Sequence, residues 1–296
     1  MEDGERRDVM SYEGYEAAYD EENSAWIELG ESSATTPVWW NRSRHDDETW
    51  RTPAAIIIRD GVFVKYRGGE EHFAIPSGVT AIRQFAFSGC EDLVSVVIPS
   101  TVTTIGSSAF NGCKRLEAII IPNSVTSIEW SRFSSSGLFK NCESLQSVTL
   151  PDSITTIGDG TFYGCSSLRQ VSIPDNVTAI GEHAFSHCES LLSISIPESA
   201  TAIGHHAFWC CRALTTIDVP GSVARIENYT FDGCVSLRSV TMHPGVGYIG
   251  YSAFSGCRSL SDVYLPDSVT RIETSAFSNC NLSAASKERL SAIPQY

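Results

Sequence analysis

The chain has 296 residues, 42% of them apolar, with 35 acidic against 21 basic side chains and a formal net charge of −14. An acidic chain without a basic run offers little to a phosphate backbone, so nucleic acid is not an expected partner. No apolar stretch approaches the ~18 residues of a membrane span. The opening MEDGERRDVMSYEGYEAAYD lacks the apolar core of a signal peptide, so the sequence as it stands reads as cytoplasmic or otherwise intracellular, and as cell-surface if its start is incomplete.

Residues 1–50 contain no repeat, and their first 31 positions hold eleven acids against Arg6 and Arg7. That composition cannot bury enough apolar area to order itself, and a largely disordered acidic segment is expected. Trp26, Trp39, Trp40 and Trp50 are unusual in such a stretch; they either pack on the adjoining unit or form a short aromatic docking motif. Residues 51–74 read as an N-terminal cap. AAIIIRDGVFVKYRGG (Ala54–Gly69) places two apolar runs around Asp60-Gly61, a hairpin signal.

Over residues 75–282 one pattern recurs nine times. An apolar residue before a Pro stands at Ile75, Ile98, Ile121, Leu150, Ile173, Ile196, Val219 and Leu265, with Met242 before His243 in the repeat that lacks the Pro. Every step is 23 residues except that from Ile121 to Leu150, which is 29, so one repeat carries a six-residue insertion near 131–136. Columns of Phe (Phe87 to Phe277) and Cys (Cys90 to Cys280) keep the same spacing. Within each unit, LxxVxIP alternates like a short strand with Leu, Val and Ile inward. The next segment, up to Ile-Gly, turns and adds two inward apolar residues. AFxGC reads as one helical turn that drops Phe and Cys into the core. The residue before Cys is Gly89, Gly112, Asn141, Gly164, Gly233, Gly256 or Asn279, which indicates a left-handed backbone there. No such unit can bury its own apolar face, whereas a stack of them buries a continuous core. Nine coils at strand spacing give a length of about 40 Å. Residues 283–296 then close the stack: SAASKERLSAI has a capping Ser and puts Leu290 and Ile293 at helical spacing.

The consensus L..V.IP.SVT.IG..AF.GC..L resembles the BspA-like (type 5) leucine-rich repeats of bacterial and protist proteins, over about residues 71–283. The resemblance implies an α/β repeat fold: a right-handed leucine-rich-repeat solenoid with a parallel sheet on one face, short second strands and one-turn helices on the others. It further implies protein binding or adhesion, brings no catalytic residues with it, and points to relatives that are often secreted or on the cell surface.

Nine of the ten cysteines are columnar and none forms a C-x-x-C pair. Stacking brings neighbouring Cα atoms to ~5 Å, inside the disulfide range, but parallel Cβ vectors at ~4.8 Å exceed the ~3.8 Å a bridge prefers. Free buried thiols acting as small hydrophobes are expected, with off-register Cys210 as the exposed one. His183 and His206 are equivalent positions of adjacent coils, and so are His187 and Cys210; His205 is close by. Stacking would gather them, and imidazole with thiolate suits zinc. His187 and Cys210 also stand where other repeats have Gly or Asn, which His tolerates as a backbone requirement, so no metal or cofactor is assigned and His183, His187, His206 and Cys210 stay a remote candidate. No G-x-S-x-G elbow, phosphate-cradling loop or paired-acid constellation is present, and no enzyme is expected. Asn41, Asn176, Asn228 and Asn281 fit the glycosylation sequon.

Residues alternating with the inward set face the open side of the sheet. The best-defined outward column is Val97, Ile120, Thr149, Ser172, Ser195, Asp218, Thr241 and Tyr264; beside it run Ser95, Ala118, Ser147, Gln170, Ser193, Thr216, Ser239 and Asp262. Ser108 and Ser252 are expected to be exposed on the opposite, convex side. A broad face of small, nearly uncharged side chains suits protein contact better than catalysis. The expected function is a non-enzymatic protein–protein interaction scaffold, monomeric, with another protein as partner; the alternative is a cell-surface adhesin or glycan-binding module.

Overall fold

The computed structural model describes residues 9–12, 15–20, 25–31, 56–130 and 136–294. Within the acidic N-terminal stretch, β1 (Val9–Tyr12), β2 (Tyr15–Asp20) and β3 (Ala25–Glu31) pair antiparallel in that order. The rest of that stretch, with Trp39, Trp40 and Trp50, lies outside the described residues, and of Trp26 only its place in β3 is described. The insertion expected near 131–136 also falls almost wholly outside them.

The Asp60-Gly61 hairpin forms: β4 (Ile56–Arg59) pairs antiparallel with β5 (Val62–Tyr66). Asp60 and Gly61 have φ of 51° and 74°, the two left-handed residues that a type I′ turn needs. Phe63 and Tyr66 are buried, and the Phe63 ring stacks 4.8 Å from Phe87 of the first coil.

Each coil then contributes a longer strand and a two-residue strand in alternation. These are β6 (His72–Ala74), β7 (Ala81–Ile82), β8 (Ser95–Val97), β9 (Thr104–Ile105), β10 (Ala118–Ile120), β11 (Ser127–Ile128), β12 (Ser147–Thr149) and β13 (Thr156–Ile157). Two coils give only the short strand, β14 (Ala179–Ile180) and β15 (Ala202–Ile203). The alternation resumes with β16 (Thr216–Val219), β17 (Arg225–Ile226), β18 (Ser239–Met242), β19 (Tyr248–Ile249), β20 (Asp262–Tyr264) and β21 (Arg271–Ile272). The longer strands make parallel ladders β6-β8-β10-β12 and β16-β18-β20 on one face; the short ones make β5-β7-β9-β11, β13-β14-β15 and β17-β19-β21 on another. Residues are paired one repeat apart, as Asp218↔Thr241↔Tyr264 shows.

The sheet of longer strands is in two parts: residues 169–173 and 192–196 run between them without strand pairing. Their outward residues are Gln170, Ser172, Ser193 and Ser195, which favour strands less than the Val, Ile, Thr and Tyr found elsewhere in the column. Val171, Ile173, Ile194 and Ile196 still face the core, and the coils stay in step through Arg169 N–H to Gln146 O (3.3 Å) and Leu192 N–H to Arg169 O (3.1 Å).

One expectation needs correcting: the AFxGC segment is a run of tight turns and not a helical turn. Amides there alternate in direction. Asn111 and Cys113 donate back to Ser108 and Phe110 within the coil, while Phe110 and Gly112 donate to Leu138 and Lys140 of the next one. Two left-handed residues enforce this and forbid a helix. One row is the anticipated position before Cys, positive in φ at every coil from Gly89 to Asn279, including His187 (60°) and Cys210 (58°). The other lies two residues before Phe, at Phe85, Ser108, Gly160, His183, His206, Tyr229, Ser252 and Ser275.

The core is columnar. From Phe87 to Phe277 the rings stack in sequence with centroids 5.1–5.6 Å apart. All ten thiols are free. Each columnar Cys from Cys113 onward donates its Sγ–H to the carbonyl of the preceding coil's Phe, as Cys188 does to Phe162 at 3.2 Å. Burial pushes the Cys188 and Cys211 thiols well above their ordinary range. Cys210 is only half-buried, but Cys90 and Cys280 share that state.

At the far end, α1 (Ala284–Ser291) starts at Ser283, whose side chain accepts from the Ser286 amide, and buries Leu290. Ser286 Oγ accepts from Val263 N–H (3.1 Å) and donates to Ser261 O (3.0 Å), so the helix satisfies edge groups of β20.

Candidate binding face

The outward column follows from strand alternation, and the ladders set its side chains side by side. Ile120, Thr149, Ser172, Ser195, Asp218 and Tyr264 are exposed and Thr241 is partly so. Val97 is the exception. It is 6% exposed, with Ser95 beside it at 5%. Alternation alone places Val97 outward, and the structure buries it. The usable surface therefore runs from Ile120 to Tyr264, apolar at both ends and hydroxyl-bearing in the middle.

His243, which replaces the Pro of its repeat, has a role on this surface. Its Nε2 lies 2.7 Å from Asp218 Oδ1 of the preceding coil. The ion pair quiets the outward column's acidic side chain when His243 is protonated. Hollows of about 640 and 320 Å³ lie where α1 meets the last coil and not on this face. A hollow of about 280 Å³ lined by Glu117, Ser144, Gln146, Ser167, Arg169 and Ser190 opens beside the starts of the longer strands, so the described face is an extended platform with a polar hollow along one margin.

The turn face is different in chemistry. His183, His206 and Tyr229 occupy one left-handed row and stack directly, with centroids 4.6 and 4.7 Å apart. His187 and Cys210 occupy the other row. The Trp209 ring meets His187 edge-on at 4.7 Å and also flanks His206 at 5.8 Å. Stacking thus gathers His183 and His206, while His187 and Cys210 fall in a separate register behind Trp209. The residue that joins the histidine pair is Glu182: its carboxylate and one nitrogen from each ring lie within 4.8 Å of one another. Sequence reasoning passed over Glu182 because an acid beside a His is unremarkable until the coil pairing is known. Ser108 and Ser252, expected to be exposed here, are buried, although they share the left-handed row with exposed Phe85 and Ser275.

Burial lowers the His183 pKa, and it brings His206 down to about 4, with repulsion from His183 and His205 adding to the effect. An unfolded imidazole titrates near 6.5. Between those values the unfolded chain takes up a proton that the folded one refuses, so stability declines as pH falls from about 6.5 towards 4. Both rings are partly exposed, and solvent screening keeps the effect modest. His206→Asn, which keeps a residue tolerant of left-handed backbone, is expected to lose a few degrees less than the parent in thermal melts at pH 5 against pH 7. Equal losses would place the acid sensitivity elsewhere.

The chain matches a profile described as the BspA type leucine rich repeat region, in six copies over residues 57–138 and 155–283. Among solved structures it is similar to a leucine-rich repeat protein from Bacteroides ovatus, at 29% identity and a TM-score of 0.50, covering 71% of this chain and 65% of that one. It is also similar to the leucine rich repeat protein of T. pallidum (24% identity, TM-score 0.46, 74% and 92% covered). A leucine rich cell surface protein from Faecalibacterium prausnitzii gives 27% identity and a TM-score of 0.44, with 84% and 98% covered. No curated protein matches the chain.

Proposed function

We propose, from the premise that the chain belongs to the BspA-type leucine-rich repeat family, that it is a non-enzymatic interaction protein whose open sheet face docks another protein. The observation that carries this reading is the exposed run Ile120, Thr149, Ser172, Ser195, Asp218 and Tyr264 on a stack whose core is rigid and continuous. Solenoids use such extended surfaces for recognition. The gap in strand pairing at residues 169–173 and 192–196 lies at the middle of the face. Among the described residues no helix is long and apolar enough to cross a membrane.

The test places charge at the centre of the face. Ser172→Arg with Ser195→Arg leaves the core untouched, and surface changes usually stay within ~0.5 kcal/mol, with a modest addition for two like charges on neighbouring coils. At a dry interface two unpaired guanidinium groups are costly to desolvate. With a partner identified by proximity labelling in the native cell, the double variant is expected to melt near the parent and to lose capture of that partner. Thr178→Arg with Thr201→Arg, exposed on the second strand face, is expected to keep it. The opposite outcome moves the docking site to the other face.

A second reading, a surface adhesin or glycan-binding module, draws on the sequon at Asn176, an exposed side chain whose Nδ2 donates to Asp152 O at 3.0 Å. A glycan found on Asn176 by mass spectrometry of the native protein would favour it, because glycosylation requires export.

A further inference from the structure

We propose that Glu182, His183 and His206 form a site for one divalent transition-metal ion of the zinc type, on the turn face and across two adjacent coils. Histidine nitrogens and a carboxylate oxygen are zinc donors, and three protein ligands with a solvent-facing fourth position make an open site.

The hydrogen bonds prepare His183 as a ligand. Ser186 is fully buried, and its hydroxyl donates to the His206 carbonyl at 2.7 Å. A hydroxyl has one proton, so toward His183 Nδ1, 3.0 Å away, Ser186 Oγ can only accept. The His183 proton therefore sits on Nδ1, and Nε2 carries the free lone pair, 3.8 Å from Glu182 Oε1. A ring fixed through one nitrogen while the other points at the ion is the usual second-shell arrangement of metal-bound histidine. Asp159 Oδ1 accepts from the Glu182 amide at 2.8 Å and fixes the backbone from which that carboxylate springs.

His206 presents a ring whose Nδ1 is buried without a hydrogen-bond partner. Trp209 stands where the preceding coil has Ser186, so the relay that satisfies His183 is not repeated. The carboxylate supplies the charge that two neutral rings lack.

Zinc–ligand distances of about 2.0–2.2 Å put donor atoms roughly 3.4 Å apart around a tetrahedral ion. The three donors here lie within 4.8 Å, so binding draws the partly exposed rings together by small rotations and is expected to be weaker than in a closed structural site.

The experiment uses the full chain without a histidine tag, stripped with a chelator and returned to chelator-free buffer. Titration with Zn²⁺ is followed by calorimetry, and Co²⁺ substitution by its visible absorption. One equivalent per chain is expected, with a higher melting midpoint by mass action that a chelator reverses. Glu182→Gln is expected to weaken binding at least ~10-fold, the scale already produced by loss of an outer-shell partner. His206→Asn is expected to abolish it, while His187→Asn and Cys210→Ser leave it unchanged. Melting without metal shows that each variant is folded. Absence of saturable binding, binding that survives both Glu182→Gln and His206→Asn, or loss of binding in Cys210→Ser each overturns the assignment.

Discussion

Phe185→Ala is expected to destabilise the protein by about 3–5 kcal/mol, the range for deleting a buried aromatic side chain. Phe185 is fully buried, with Phe162 and Phe208 each 5.2 Å away on either side. Removing it opens a void between two coils that are themselves held by the same column. In a nearest-neighbour array a weak central coil also uncouples the two halves, so unfolding should broaden or split. Phe277, at the end of the column and only partly buried, is the matched comparison: its replacement by Ala should cost well under half as much. Denaturant unfolding of the three proteins measures both effects. A Phe185→Ala protein that unfolds with the parent would mean that the ring column does not hold the coils together.

Gly106→Ala is expected to cost about 1–3 kcal/mol or more, as overpacking does, although it adds only one methyl group. Its Cβ would press against the Gln84 amide nitrogen and come within 2.8 Å of the Arg83 carbonyl carbon and Gln84 Cα. These are backbone atoms of the preceding coil, fixed there by the Gly106 N–H to Ile82 O bond at 2.7 Å, so nothing can swing aside. The position after the Ile reads Arg83, Gly106, Glu129, Gly158, Gly181, Gly204, Glu227, Gly250 and Glu273. No two neighbouring coils both carry a side chain there, and Gly106→Ala would set three in a row. Gly69→Ala, whose added Cβ meets nothing within 4 Å, should be close to neutral. If the two variants melt alike, the close approach of the coils is not what selects glycine in this column.

Period, inward set and outward alternation were legible because each rests on one residue type kept at a fixed spacing. Phe, Cys and the residue before Pro are chosen by the stack itself. The second left-handed row was not legible: its occupants are Phe85, Ser108, Gly160, His183, His206, Tyr229, Ser252 and Ser275, and no shared chemistry betrays a shared backbone. That omission is why AFxGC read as a helical turn. The binding face was readable as a column, but the burial of Val97 at its start was not, since local alternation carries no trace of it. The histidine pair was visible as a one-repeat equivalence. Its separation from His187 and Cys210 was not, since that depends on which row each residue occupies.

The direction of the ladder bonds also determines how the molecule responds to mechanical load. Backbone amides such as Gly106, Gly181, Gly204 and Gly250 each donate to the coil before them, so these bonds lie along the axis of the stack. Tension applied between the two ends pulls in line with them, and an outermost coil can be peeled without shearing its neighbours. Each 23-residue coil then releases roughly 76–83 Å of extended chain, and the 29-residue one roughly 96–104 Å. Under tension the stack behaves as a spring that lengthens in equal steps, with a single longer one marking the coil that carries the insertion.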